Sequence, residues 1–214
     1  MLRNTLFLLL SVLVSFVAQA APNKTLKAFG KNYRSAKLVE MAVEKTVKSE
    51  LLGKETKYSG KIFMANGKFR WENTTPEETL LVFDGSTIWS VQTPPKEFGG
   101  PVQVAKGKVD KKTKSQLLIS TLLGEELEKS FKVLSEEKIG TDAKIEIEPK
   151  GDGLTVKKLS LLIDTKKSEL KELSYKDDIG NLTTISFSKI QFKTKANNKL
   201  FKYQPPKDAQ VSNL

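Results

Sequence analysis

From Thr56 onward the apolar residues of this chain recur at every second position, and turn-forming groups interrupt them at short, regular intervals. A two-residue period places one face of a strand in a core and the other in water, and it does not suit a helical bundle. Residues 58–64 run into Asn66-Gly67, a pair that accepts the left-handed backbone of a tight hairpin. Lys68-Phe69-Arg70-Trp71-Glu72 follows, with Phe69 and Trp71 on one face and three charges on the other. Residues 79–83, the turn Asp84-Gly85-Ser86 and residues 88–91 extend this into a meander. Phe131 and Val133, then residues 144–148, 159–163, 169–175 and 183–192, repeat the alternation between turns such as Lys150-Gly151-Asp152-Gly153 and Asp178-Ile179-Gly180-Asn181. Strands at this spacing predict a mainly β chain with a few helices, its antiparallel sheet curling into a barrel or a sandwich. No linker and no internal repeat divides it.

Helices interrupt the pattern. Residues 24–33 carry Leu26, Phe29 and Tyr33 at helical spacing. Residues 112–123 place Leu117, Leu118, Thr121 and Leu122 on one side, widened by Ile119 and Leu123, and stop at Gly124. That helix is either a cover over something greasy or a plug that belongs to the ordinary core. Residues 38–47 fit both periods: Val39, Val43 and Val47 suit a helix, and Val39, Met41 and Val43 suit a strand. Residues 93–110, rich in Pro, Gly and Lys, read as a long mobile excursion between the two halves of the sheet. Leu80-Leu81-Val82-Phe83 and Ile88-Trp89 are apolar on both faces, so the central hairpin is expected to be covered on both sides and to help enclose an apolar cavity.

The start of the chain has the form of an export signal. Arg3 supplies a positive charge, ten of the twelve residues 6–17 are apolar, and Ala18-Gln19-Ala20 ends in the small-x-small pattern of a cleavage site. The expected domains are a signal peptide, residues 1–20, cut after Ala20, and a single domain over residues 21–214. With no cysteine anywhere there is no residue for lipid attachment after the cut, so the expected product is exported, soluble and released.

The chain has neither cysteine nor histidine, which excludes a Ser-His-Asp triad, a cysteine nucleophile, disulfides and zinc sites of the usual kind. No metal or cofactor is expected. Glu77 and Glu78 are adjacent and point to opposite faces of any strand, while Asp84, Asp177 and Asp178 sit at turns where Asp serves the backbone. No glycine-rich phosphate loop leads from a strand into a helix. The chain is therefore read as not an enzyme. Its formal charge is +11, from 36 basic and 25 acidic residues, and only Arg3, Arg34 and Arg70 are arginines. Lysine lacks the planar fork that reads phosphates and bases, so nucleic acid is not an expected partner. Lys106, Lys108, Lys111, Lys112 and Lys114 form one cluster, either a solvated loop or a docking patch for an acidic partner or anionic headgroups.

Two blocks carry a family resemblance. Gly67-Lys68-Phe69-Arg70-Trp71-Glu72, Pro76-Glu77-Glu78 and Asp84-Gly85-Ser86-Thr87-Ile88-Trp89 form the first. Phe201-Lys202-Tyr203-Gln204-Pro205-Pro206 with Val211 forms the second. Together they resemble the periplasmic outer-membrane lipoprotein carrier (LolA) family. The resemblance implies an unclosed antiparallel β-barrel of about 11 strands with a helical lid over an apolar cavity. It implies a periplasmic, monomeric chaperone that binds the acyl chains of lipoproteins. Its partners would be these lipoproteins, an inner-membrane lipoprotein-releasing ABC transporter and an outer-membrane receptor. Residues 24–33 and 112–123 become lid helices and residues 38–47 the first strand. Phe69 matches a position where an aromatic helps govern ligand release, and Phe29, Trp71, Leu81, Phe83, Trp89, Leu117, Leu118 and Leu122 join it as the acyl-chain cavity. Where the family often carries an arginine that latches the lid, this chain has Ala65. A lipid- or lipoprotein-sensing module of similar fold and a carboxylate-dependent envelope hydrolase are the alternatives. A sensing module usually carries a further C-terminal domain, whereas this chain ends shortly after Pro206.

Overall fold

The computed structural model describes residues 23–109, 118–124, 127–151, 154 and 156–214. The expected signal peptide, Leu117, Lys111, Lys112 and Lys114 lie outside the described residues.

Helix α1 (Lys24–Ser35) starts where Asn23 accepts a hydrogen bond at Oδ1 from the Leu26 amide, 2.9 Å away, satisfying one of the donors that a helix start leaves open. Its buried residues Leu26, Phe29, Gly30 and Tyr33 form a single stripe, and the chain turns extended at Ala36. Burial of each large side chain in such a stripe stabilises by roughly 1.5–3 kcal/mol, which fixes the helix to whatever its stripe faces.

What it faces is a sheet. Strands β1 (Leu38–Lys48), β2 (Glu55–Ala65), β3 (Lys68–Thr75), β4 (Thr79–Phe83), β5 (Thr87–Gln92) and β6 (Gln103–Lys108) follow α1. Helices α2 (Leu118–Gly124) and α3 (Leu127–Ser130) precede β7 (Phe131–Ile139), β8 (Asp142–Pro149), β9 (Leu159–Asp164), β10 (Glu169–Lys176) and β11 (Leu182–Lys193). A 3₁₀ turn (Asn198–Phe201) and β12 (Gln210–Asn213) complete the chain. Among the described residues the strands form one sheet of twelve, in the order β12-β6-β5-β4-β3-β2-β1-β11-β10-β9-β8-β7. It ends at β12 and β7 instead of closing, and β12 against β6 is its parallel pair.

Local chemistry accounts for the hairpins. Asn66 and Gly67 take φ of 47° and 72°, the left-handed pair of a type I′ turn. Asp84 Oδ1 accepts from the amides of Ser86 and Thr87 at 2.9 and 2.8 Å, closing the turn between β4 and β5. Residues 38–47 are strand, since β1 pairs with β2 on one side and β11 on the other. The expected excursion over residues 93–110 is corrected in part: Gln103–Lys108 is β6, paired to β5 and β12.

Register assigns the faces. Met64, Phe69, Phe83 and Ile88 lie opposite one another across β2 to β5, as do Ile62, Trp71 and Leu81 across β2 to β4. These pack in the main core with Leu26, Phe29 and Tyr33 of α1, Ile119, Leu122 and Leu123 of α2, and Ile145, Leu161 and Leu173 of the far strands. The other face has its own small cluster, Leu38, Phe63, Ala65 and Phe201. There the C-terminal segment runs across the strands: Arg70 Nη1 donates to the Leu200 carbonyl, and Tyr203 lies 5.7 Å from Trp89.

Candidate functional site: the helix-covered face

The helix-covered face gathers most of the residues that sequence reasoning nominated. Phe29, Phe83 and Leu122 are wholly buried there, Phe69 is 3% exposed, and Trp71, Leu81 and Leu118 pack at its margin. Phe69 and Phe83 meet with ring centroids 6.0 Å apart, and Phe29 sits 4.8 Å from Tyr33. Leu117 lies outside the described residues.

Trp89 goes elsewhere. Its register partners are Val82 and Lys106, in line with Arg70, on the face opposite Phe69. Its ring contacts Tyr203, and the Lys106 ammonium lies 5.8 Å from its centroid. Lys106 and Lys108 are exposed and share that face. Trp89 and the described part of the lysine cluster thus belong to one surface, and the aromatic cluster to the other.

Polar ties hold α1 across the apolar face. At its start, Asn23 Nδ2 and Thr25 Oγ1 donate to the two carboxylate oxygens of Glu136 on β7, at 2.8 and 2.7 Å. Near its end, Asn32 Nδ2 donates to the carbonyls of Lys167 and Ser168. The Tyr33 hydroxyl accepts from the Leu170 amide at 3.1 Å, and burial pushes its pKa upward so that it stays protonated. Ala65 is buried, in contact with the cluster around Phe201. A cavity of ≈ 370 Å³ opens beside it, lined by Tyr33, Arg34, Ala36, Val39, Met64 and Leu123 among others. The Arg34 guanidinium folds back over Gly30 at this rim, where a methyl group on Gly30 would come within 2.6 Å of Nη1.

Sequence reasoning missed one polar residue on this face. Lys45 lies opposite Tyr58 of β2 and Ile185 of β11, and Ile185 belongs to the main core. Its position two residues from Val43 and two from Val47, on one side of an alternating strand, was the available signal. Burial holds its pKa below the ordinary lysine value.

Three of the five carboxylates that sequence reasoning weighed for chemistry are engaged with the backbone or with neighbouring side chains. Asp84 closes the β4–β5 turn, and Asp177 Oδ1 accepts from the amides of Ile179 and Asn181. Glu77 accepts from Gln92 in the open. Among the described residues no cluster of acidic side chains is close enough to hold a metal ion. The face has the chemistry of a surface for apolar groups, with the helices occupying it.

A family model described as Outer membrane lipoprotein carrier protein LolA matches residues 40–204. An outer-membrane lipoprotein carrier protein of Chromobacterium violaceum is 29% identical over 195 residues, covering 91% of this chain and 88% of that protein. One from Nitrosospira multiformis is 30% identical over 149 residues, covering 70% and 69%. Among solved structures, an uncharacterized conserved protein from Thermus thermophilus superposes with a TM-score of 0.53 at 13% identity, over 89% of this chain and 97% of that one, which shows a shared fold. With the family model spanning most of the sheet together with α2 and α3, the chain belongs to the outer membrane lipoprotein carrier protein LolA family.

Proposed function

We propose that this protein is a periplasmic carrier that binds the acyl chains of lipoproteins on the helix-covered face of its sheet. It takes them from an inner-membrane transporter and delivers them to an outer-membrane receptor. The observation that carries the reading is the aromatic and aliphatic lining of that face, with Phe69 and Phe83 of the sheet packed against Phe29 of α1 and Leu122 of α2, and with α1 held near its ends by a few hydrogen bonds. The names of the family and of its relatives support it.

Energetics constrain the mechanism. Burying one acyl chain of about 16 carbons stabilises by up to about 12 kcal/mol, at about 0.8 kcal/mol per methylene. Several chains gripped fully would reach the practical ceiling of non-covalent affinity, about 18–21 kcal/mol, and cargo would never leave. The sequence carries no nucleotide-binding loop to drive release. Release therefore depends on competition. When cargo leaves, Leu26, Phe29 and Leu122 return to the apolar face, so closure of the empty protein offsets much of the gain from binding. The ≈ 370 Å³ cavity at the rim is at the small end for a single ligand, so cargo with several chains enters by displacing the helices.

The test is solubilisation. Detergent-stripped triacylated lipoprotein is mixed with the purified protein and run on gel filtration without detergent. The expected result is co-elution as a defined complex, lost in Phe69→Glu with the fold checked by circular dichroism. Aggregation of the lipoprotein regardless of the protein added overturns the reading.

A further inference from the structure

The Lys45 ammonium lies 4.3 Å from the Tyr58 ring centroid and 5.7 Å from that of Trp71. Among the described residues it has no hydrogen-bond or ion-pair partner. Its position is unusual in this chain. Other lysines pair with carboxylates across strands, as Lys193 does with Glu40 and Lys171 with Asp142. Lys45 instead projects on the apolar face, between Tyr58 and the buried Ile185, near the end of β1 farther from α1. The two rings supply cation–π attraction, which compensates a half-buried ammonium in part and leaves its N–H donors unused.

The surroundings fit the head of an amphiphile. Trp71 Nε1 donates to Asn73 Oδ1, and Asn73 Nδ2 donates to Thr79 Oγ1, forming a short polar row that runs from the Trp71 ring across β3 to β4. Along β1 in the other direction, Val43, Met41 and Val39 continue the same face into the apolar core beneath the helices. A molecule with an acyl tail and a negatively charged head would find its tail toward Met41 and its head at the ammonium.

We propose that Lys45, caged by Tyr58 and Trp71, is the seat for an oxyanion on the head of an acyl-chain ligand, so that this face accepts anionic single-chain lipids. The inference rests on the acyl-binding reading above and adds a polar end to it. The shared chemistry is a carboxylate or phosphate oxygen accepting from the ammonium, a charge-assisted hydrogen bond in a partly desolvated place.

Calorimetric titrations at monomeric ligand concentrations test it with three probes: palmitate, a monoacylglycerol phosphate and methyl palmitate. The protein as purified is expected to bind one or both anions at least about tenfold tighter than the neutral ester, the low end for a hydrogen bond to a charged group. Lys45→Met is expected to bring the anions down to the affinity of the ester while leaving the ester unchanged, and Lys45→Arg to keep the preference. Which anion is preferred distinguishes a fatty-acid carboxylate from a phospholipid-type head. Equal binding of anions and ester, or a preference that survives Lys45→Met, overturns the inference while leaving acyl binding intact. Failure of methyl palmitate to bind any of the three proteins overturns the acyl-binding reading and the inference with it.

Discussion

Removing Glu136 should make the protein bind acylated cargo more tightly. The Glu136 carboxylate is exposed on β7 and accepts two hydrogen bonds from the start of α1, from Asn23 Nδ2 at 2.8 Å and Thr25 Oγ1 at 2.7 Å. It is exposed on the edge strand, opposite Ile145, so Glu136→Ala loosens the helix and leaves the buried lining of Phe29, Phe69, Phe83 and Leu122 in place. Freed groups at an exposed site turn to water, so each bond contributes about 0.5 kcal/mol and the pair about 1 kcal/mol. That shifts the balance between covered and uncovered forms by about fivefold. Where the competent form is the minor one, apparent affinity follows its population, so Kd should fall by about the same factor. Fluorescence titration with an acylated ligand measures the affinity, and hydrogen exchange of the amides of residues 24–35 measures the helix. Faster exchange in α1 combined with unchanged or weaker binding would refute the idea that α1 and cargo compete for one surface.

Three other outcomes are expected. Gly60 lies where β2 and β3 approach so closely that a Cβ would sit 1.9 Å from the Glu72 carbonyl oxygen; Gly60→Ala should cost roughly 1–3 kcal/mol or more and lower Tm by several degrees, and an unchanged Tm would reject the close approach. Leu81→Glu, on the helix-covered face, should abolish cargo retention, whereas Trp89→Glu, against Tyr203 on the other face, should retain it; the reverse pattern in the gel-filtration assay would put cargo on the wrong side of the sheet. Burial alone would raise the Asp84 pKa, but hydrogen bonds from Thr87 and Ser86, with the charge of Lys68, outweigh it and hold it below the ordinary value. The hydrogen bond from the Lys167 amide, joined by that from Lys166, does the same for Asp164. Depressed folded pKa values mean that this stability is complete above about pH 4 and is lost as pH falls through them. Urea midpoints of Asp84→Asn/Asp164→Asn should therefore lie below the parent's at pH 7, with the gap narrowing as pH falls below about 4; a constant gap would contradict the assignment.

Local signals in the sequence translated directly into structure where the chemistry was local. Asn66-Gly67 became a left-handed turn pair, and the stripe Leu26, Phe29, Tyr33 became the buried side of α1. Residues 38–47 remained ambiguous because Val39, Met41 and Val43 satisfy one period and Val39, Val43 and Val47 the other; hydrogen bonding to β2 and β11, the latter distant in sequence, decided for a strand. Gln103–Lys108 was hidden because it offers only Val104 and Ala105 as apolar residues, and its strand character comes from pairing with β5 and β12. The side of the sheet on which Trp89 falls was illegible for a related reason. Residues 80–83 are apolar on both faces, so alternation does not say which face the helices cover. The answer lies with Tyr203, more than a hundred residues away. Lys45 was readable from its spacing to Val43 and Val47, but its aromatic cage is assembled from β2 and β3.

The carrier account stands most directly on whether acyl chains occupy this protein in its own compartment. The full-length chain expressed in a Gram-negative host and purified gently from the periplasmic fraction should give a native mass spectrum containing a complex with an acylated polypeptide. Mild activation should release that polypeptide intact, and Leu81→Glu should yield the free mass alone. Repeated recovery of cargo-free protein that also fails to solubilise added lipoprotein would contradict the account.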